Sequence, residues 1–269
     1  MDNAARAWAR PSRNCNAWND DRVPEQLVVR RAGFAPVKGM RHLDLDAIDL
    51  DAAGAIGDRT WCVVDAERSQ VLRTVQHPAL IGVVARREGE ELELTLPSGE
   101  WTRAPATPTG ETVTCDYWGR QVDLELTAGP HADLVSAWLG KAVRLARAPR
   151  GGVVFAEPVT VVGTASLRAL GEQISDQAAR FRSTLVIETD EPFVEDTWAG
   201  REVAVGGASL RIGGPVPRCA VIDHHPVTGE KDVRLLKALV RERPTNRAGE
   251  PMFGVYATCV RPGRATVTR

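Results

Sequence analysis

The chain has 269 residues, 43% of them hydrophobic, enough to bury one large core or two smaller ones. With 34 Lys and Arg against 35 Asp and Glu, no global basic field points to nucleic acid or an anionic membrane, although a local cationic cluster can still hold a small anion. No run of about 18 apolar residues occurs, so no membrane-spanning helix is expected.

Residues 1–25 show neither a helical nor a strand period and no apolar signal-peptide core, and they read as a flexible tail with a weak amphipathic turn around Trp8. Strand signals then dominate. Alternating or β-branched runs fall at 26–32, 60–64, 81–86, 91–96 and 122–127, then at 143–145, 159–162, 184–188, 202–205, 209–212, 220–222 and 255–260. Turn chemistry separates them at Pro97-Ser98-Gly99, Thr109-Gly110, Gly206-Gly207, Gly213-Gly214 and Thr228-Gly229.

Helical signals are few: 132–139, which stops at Gly140, 164–170, which opens on a Thr/Ser cap, and 233–240. The pattern predicts a mainly β fold of barrels with short helices, because regular helices do not alternate with the strands as a doubly wound parallel sheet requires. A boundary near 127–130 divides a nearly all-strand part, 26–127, from a part with helices and unusual loops, 128–269.

Five cysteines, Cys15, Cys62, Cys115, Cys219 and Cys259, are odd in number, widely spaced and without a CxxC. That disfavours a disulfide scaffold, a zinc ribbon and an iron–sulfur cluster, and fits a reducing cytoplasm. Four read as small buried apolar residues. Cys219 stands apart. It closes Gly213-Gly214-Pro215-Val216-Pro217-Arg218-Cys219, a stiff glycine- and proline-rich loop, at the start of an expected strand. The adjacent Arg218 favours a thiolate, suited to a soft metal or to nucleophilic chemistry.

Asp223, His224 and His225 follow, but neighbouring residues on a strand point to opposite faces and do not readily share one ion. Arg180 and Arg182, flanking Phe181, suit phosphate contacts, and Lys38 and Arg59 are further cations in short glycine-containing segments. No phosphate-binding P-loop, dinucleotide fingerprint or serine-hydrolase elbow occurs.

Taken in order, several segments resemble the MOSC family in its two-part form with a MOSC N-terminal β-barrel, close to the mitochondrial amidoxime-reducing component and its bacterial counterparts. They are Pro36-Val37-Lys38-Gly39, Gly57-Asp58-Arg59-Thr60-Trp61, Gln76-His77-Pro78-Ala79-Leu80, Thr164-Ala165-Ser166-Leu167, Arg180-Phe181-Arg182, Glu195-Asp196-Thr197-Trp198, Pro217-Arg218-Cys219, Pro226-Val227-Thr228-Gly229 and Phe253-Gly254-Val255-Tyr256. The resemblance runs from about residue 27 to 264. The chain departs from the family pattern at Gly39, Thr184 and Pro217.

The resemblance implies a molybdenum cofactor, with Cys219 as the thiolate ligand to the metal. It assigns contacts with the anionic pterin to Lys38, Arg59 and Arg182, with Arg180, Thr184 and Arg218 beside them. The implied reaction is reduction of the N–O bond of an N-hydroxylated compound, with electrons from a separate donor protein and with Asp223 or His224 as candidates for proton supply. No pyridoxal phosphate or iron–sulfur cluster is expected in this chain. Two other readings remain at this point: a carrier module that holds sulfur or the cofactor without turnover, and a MOSC-like biosynthetic enzyme without molybdenum.

Overall fold

The computed structural model describes residues 24–269, so Cys15, the Trp8 turn and nearly all of the expected tail lie outside the described residues. The fold is mainly β. A seven-stranded sheet runs in the order Glu202–Val205, Ala208–Pro217, Met252–Arg261, Val159–Gly163, Leu185–Ile187, Val29–Phe34, Leu43–Leu45. A closed barrel is formed by Thr107–Tyr117, Arg120–Ala128, Val143–Arg147, Trp61–Asp65 and Gln70–Val71. Two three-stranded sheets complete the fold: Gly263–Thr266 with Ala47–Asp51 and Gly54–Ala55, and Val84–Glu88 with Glu91–Thr95 and Trp101–Pro105.

Strand pairing crosses the expected division at 127/128 in both directions. Val143–Arg147, from beyond it, pairs with Trp61–Asp65 and closes the barrel. Val29–Phe34, from before it, pairs with Leu185–Ile187 in the large sheet. Gly263–Thr266, near the C-terminus, pairs with Ala47–Asp51. The two parts are therefore interlocked, with separate cores. One core fills the large sheet around Val161, Leu185, Ile212 and Val255, and others fill the barrel around Val63, Leu80, Leu94, Cys62 and Leu124. A fourth, around Phe181, Ile222, Leu239 and Phe253, lies beneath the helices.

Most of the expected strands form within a few residues of their predicted bounds. The sequence reading missed Leu43–Leu45, Ala47–Asp51, Gly54–Ala55, Gln70–Val71, Trp101–Pro105, Thr107–Tyr117 and Gly263–Thr266; most are short or largely exposed, but residues 43–51 carry an apolar/polar alternation that the reading passed over. Thr109-Gly110, expected as a turn, lies inside Thr107–Tyr117 where the register shifts. Gly213-Gly214 is likewise no turn. The strand continues to Pro217 through two register shifts, and a Cβ on Gly213 would lie 3.4 Å from Tyr256 of the paired strand.

The expected strand at 220–222 is a 3-10 turn, Ala220–Asp223. A short apolar run has no period by which to tell the two apart. All three expected helices form, as His131–Leu139, Thr164–Ala169 and Leu235–Glu242, but Thr164 and Ser166 do not cap the second one. Their hydroxyls serve other segments: Thr164 pairs with the Thr189 backbone and Ser166 with Glu195 and the Phe193 N–H. Among the described residues no helix is long and apolar enough to cross a membrane.

Candidate cofactor site

A chain of backbone contacts assembles the site from distant segments. Pro36 and Val37 lie beside Trp61, with Lys38 N–H donating to the Trp61 carbonyl at 2.8 Å and Arg59 N–H to the Ala35 carbonyl at 2.8 Å. Lys38 and Arg59 are thereby neighbours. Gly33 N–H donates to the Thr184 carbonyl at 3.0 Å, which brings residues 182–184 against the same segment. The Arg218 guanidinium donates to the Phe181 carbonyl at 2.8 Å and to the Phe253 carbonyl at 2.8 Å, which fixes the Pro217–Cys219 segment beside Arg182.

The result is a cavity of about 200 Å³ lined by Lys38, Arg59, Arg182, Thr184, Arg218 and the exposed Cys219, among others. Its charge is poorly compensated. Arg59 is ion-paired with Asp58, whose other oxygen accepts from the Ala35 N–H at 3.3 Å. Among the described residues Lys38 forms no ion pair; its Nζ lies 5.2 Å from the Tyr117 ring centroid, with Asp58 a more distant counter-charge. Burial, reinforced by Arg59 and Arg182, pulls the Lys38 ammonium down to about 7. Arg182 has no side-chain hydrogen bond or ion pair among the described residues, and burial and then Arg59 lower it to about 10. Arg218 is lowered to about 10, chiefly by burial, and its Nη2 is buried without a partner. A buried cation without a counter-charge is costly, and an anion placed among these groups removes that cost.

Backbone strain gathers here as well. Arg59, Trp118 and Arg182, all on the cavity wall, hold φ of 47°, 56° and 52°, the left-handed region that side chains other than glycine rarely adopt. Gly254, at φ 70°, admits no side chain: a Cβ there would lie 2.6 Å from Val162 and 3.3 Å from Arg218 Nη2. Gly39, a departure from the family pattern, holds φ 88°, so its backbone alone accounts for the glycine.

The other expected site residues divide. Thr184 lines the cavity, but its hydroxyl accepts from the Thr160 N–H at 3.1 Å. Arg180 reaches the wall with its guanidinium committed to the Ile222 and His224 carbonyls, Asp232 and Gln177. It thus braces the 3-10 turn that follows Cys219. Asp223 and His224 do not line the cavity. Asp223 is buried, accepts from the Leu236 N–H at 2.7 Å at the start of helix Leu235–Glu242, and faces Lys231 at 3.4 Å. His224 Nδ1 lies 2.8 Å from the Gly229 carbonyl.

Sequence reasoning missed Tyr117, whose buried hydroxyl lacks a partner and is pushed by burial to about 12, and the rim residues Arg73, Trp118 and Phe155. Gly119, just ahead of the strand run at 122–127, was the one local signal of a turn there.

Among the described residues no cluster of three or more His, Cys, Asp or Glu could hold a metal ion. The cavity fits an anionic group: one exposed thiol, a set of under-compensated cations, and unpartnered donors on Arg218 and Tyr117.

The MOSC domain model matches residues 123–268 and the MOSC N-terminal beta barrel domain model residues 28–144. This chain belongs to the MOSC family, in the form that carries the N-terminal barrel. It is 26% identical to the molybdenum cofactor sulfurase of Caenorhabditis elegans and 30% identical to that of Caenorhabditis briggsae, in each case over 85% of this chain and 33% of the relative. The chain thus spans about a third of the length of these relatives. The crystal structure of the YUAD protein from Bacillus subtilis aligns over 90% of this chain and 91% of its own, at 11% identity and a TM-score of 0.39, too low to carry an argument.

Proposed function

We propose that this protein binds a molybdenum cofactor and reduces the N–O bond of N-hydroxylated compounds. One observation carries the reading: the exposed Cys219 thiol shares a cavity wall with Lys38, Arg59 and Arg182, and among the described residues neither Lys38 nor Arg182 forms an ion pair. Cys219 supplies the protein's sulfur ligand. Lys38, Arg59 and Arg182 hold the pterin's anionic end, with Arg218 Nη2 as a further donor. When bound, the cofactor supplies two-electron redox chemistry. The net reaction consumes two electrons and two protons, breaks N–O, and releases the amine-type product and water. A separate donor protein delivers the electrons.

Arg180 shapes the turn that presents Cys219. Asp223, tied to helix Leu235–Glu242, has no part in this assignment, nor does His224. The test is molybdenum content after expression in a cofactor-producing host, together with reduction of benzamidoxime by reduced methyl viologen. The wild type should carry about one molybdenum per chain and turn over, and Cys219→Ala should lose both. A wild type without metal sinks the reading.

The names of the relatives favour a second reading, in which Cys219 belongs to a module that carries sulfur or cofactor for a partner. A persulfide on Cys219 by mass spectrometry, with no benzamidoxime reduction by the loaded protein, would select it.

A further inference from the structure

The hairpin joining Thr107–Tyr117 to Arg120–Ala128 turns through two residues, Trp118 and Gly119, with φ of 56° and 78°. A two-residue turn with both central φ positive is the type I′ form, which favours Asn or Gly first and Gly second. Gly119 obeys that preference. Trp118 does not, and a bulky residue in the left-handed region costs stability. Burial repays little of it, because Trp118 is 50% exposed.

The ring is nonetheless held in place at the cavity. Arg73 lies over it, with its guanidinium carbon 4.8 Å from the centroid. Phe155, 46% exposed, meets it edge-on with centroids 5.0 Å apart and planes at 76°. Phe155 belongs to the loop between Val143–Arg147 and Val159–Gly163, and Arg120 of the hairpin donates to the Val154 carbonyl of that loop. Trp118, Phe155 and Arg73 all line the same cavity as Cys219. Two large, half-exposed aromatic groups set nearly at right angles form an apolar corner at the rim of a cationic cavity, and the Trp118 ring offers it a flat face.

We infer that Trp118, backed by Phe155 and Arg73, is a specificity-determining residue that stacks on the flat, conjugated body of the substrate and so selects aromatic over small aliphatic N-hydroxylated compounds. The inference rests on the reductase reading for its substrate class, but the placement of Trp118 is independent of it. The buried cations serve an anionic group, whereas the half-exposed ring serves a neutral one.

The experiment compares the molybdenum-loaded wild type with Trp118→Asn and Trp118→Phe, using benzamidoxime and acetamidoxime, neutral amidoximes that differ in the aromatic body. Trp118→Asn should raise KM and the calorimetric Kd for benzamidoxime by about tenfold, leave acetamidoxime unchanged and keep the molybdenum content. Its unfolding midpoint should rise by about 2 °C or more, because Asn suits the turn. Trp118→Phe should retain the preference for benzamidoxime.

Equal effects on both amidoximes, a loss of molybdenum or a fall in the midpoint would each overturn the inference, the second by making Trp118 a cofactor contact. If the loaded wild type reduces neither compound, the N–O reading fails, and the calorimetric comparison still decides the role of Trp118.

Discussion

Two arginine-rich cavities in this molecule differ in what their arginines are doing. The second, of about 340 Å³, is lined by Arg31, Arg41 and Arg86 together with Asp44 and Asp176. Arg31 is paired with Asp44 at 2.7 Å. Arg41 donates to the carbonyls of Ile81, Gly82 and Val227, and Arg86 is exposed. The cavity beside Cys219 encloses less space, but among the described residues Lys38 and Arg182, partly buried there, form no ion pair and share the nearby Asp58 charge with Arg59. The Cys219 cavity has more basic lining residues, six Lys and Arg against three, but a count does not say which of them are already paired. What separates them is uncompensated charge in a low-dielectric setting, the condition under which an anion gains most from its contacts.

The comparison breaks first at Arg182. Because its backbone is left-handed, Arg182→Asn is the substitution that tests the charge without adding strain. Loss of a charge-assisted contact worth about 1.5–3 kcal/mol should weaken sulfate binding to the cofactor-free protein by ~10-fold or more, measured by calorimetry. An unchanged affinity would mean that the cavity's cations do not act together on an anion.

Lys38 gives the next largest effect. It is half protonated near pH 7 in the empty site, so sulfate, which does not titrate there, should bind progressively less well above that pH, by up to ~10-fold per unit. Lys38→Met should flatten the profile. The sign for stability follows from the same shift. The folded state holds the Lys38 proton less tightly than the unfolded chain, with its value of 10.5, so this group destabilises the cofactor-free fold increasingly as pH falls from about 10 to 7, then by a constant amount. Lys38→Met should remove that slope from the pH dependence of the unfolding midpoint. A slope that persists would assign the titration to another group.

The smallest effect is expected in the other cavity. Arg31 and Asp44 form a partly exposed pair, so Arg31→Ala should change stability by about 1 kcal/mol or less and leave sulfate affinity at the Cys219 cavity unchanged. A drop in affinity there would show that long-range field, and not local compensation, sets anion binding.

The Cys219 segment shows how far a reading of the chain reaches. Its glycines and prolines mark it as unusual, and Lys38, Arg59 and Arg182 are legible as candidate cations through family motifs. Arg180 and Arg218 look like equal candidates in the sequence, yet Arg180 is committed to two carbonyls, Gln177 and Asp232, and Arg218 gives two of its donors to carbonyls and keeps only Nη2 without a partner. Asp223 is near Cys219 in number and is turned into the start of a helix. Proximity in sequence says little about which donors are already taken, because the acceptors come from segments tens of residues away.

The sequence by itself determined the β-rich class, most of the strand positions and the three helices, and singled out Cys219 as the candidate thiol, because side-chain period, turn residues and ordered motifs are local properties. Only the tertiary structure decided that residues 38, 59, 182 and 219 share one wall, that the barrel and the large sheet interlock across the middle of the chain, and that a strained Trp118 stands at the same cavity. Those outcomes depend on sheet register and on which polar groups find partners, and both are settled by contacts between distant segments.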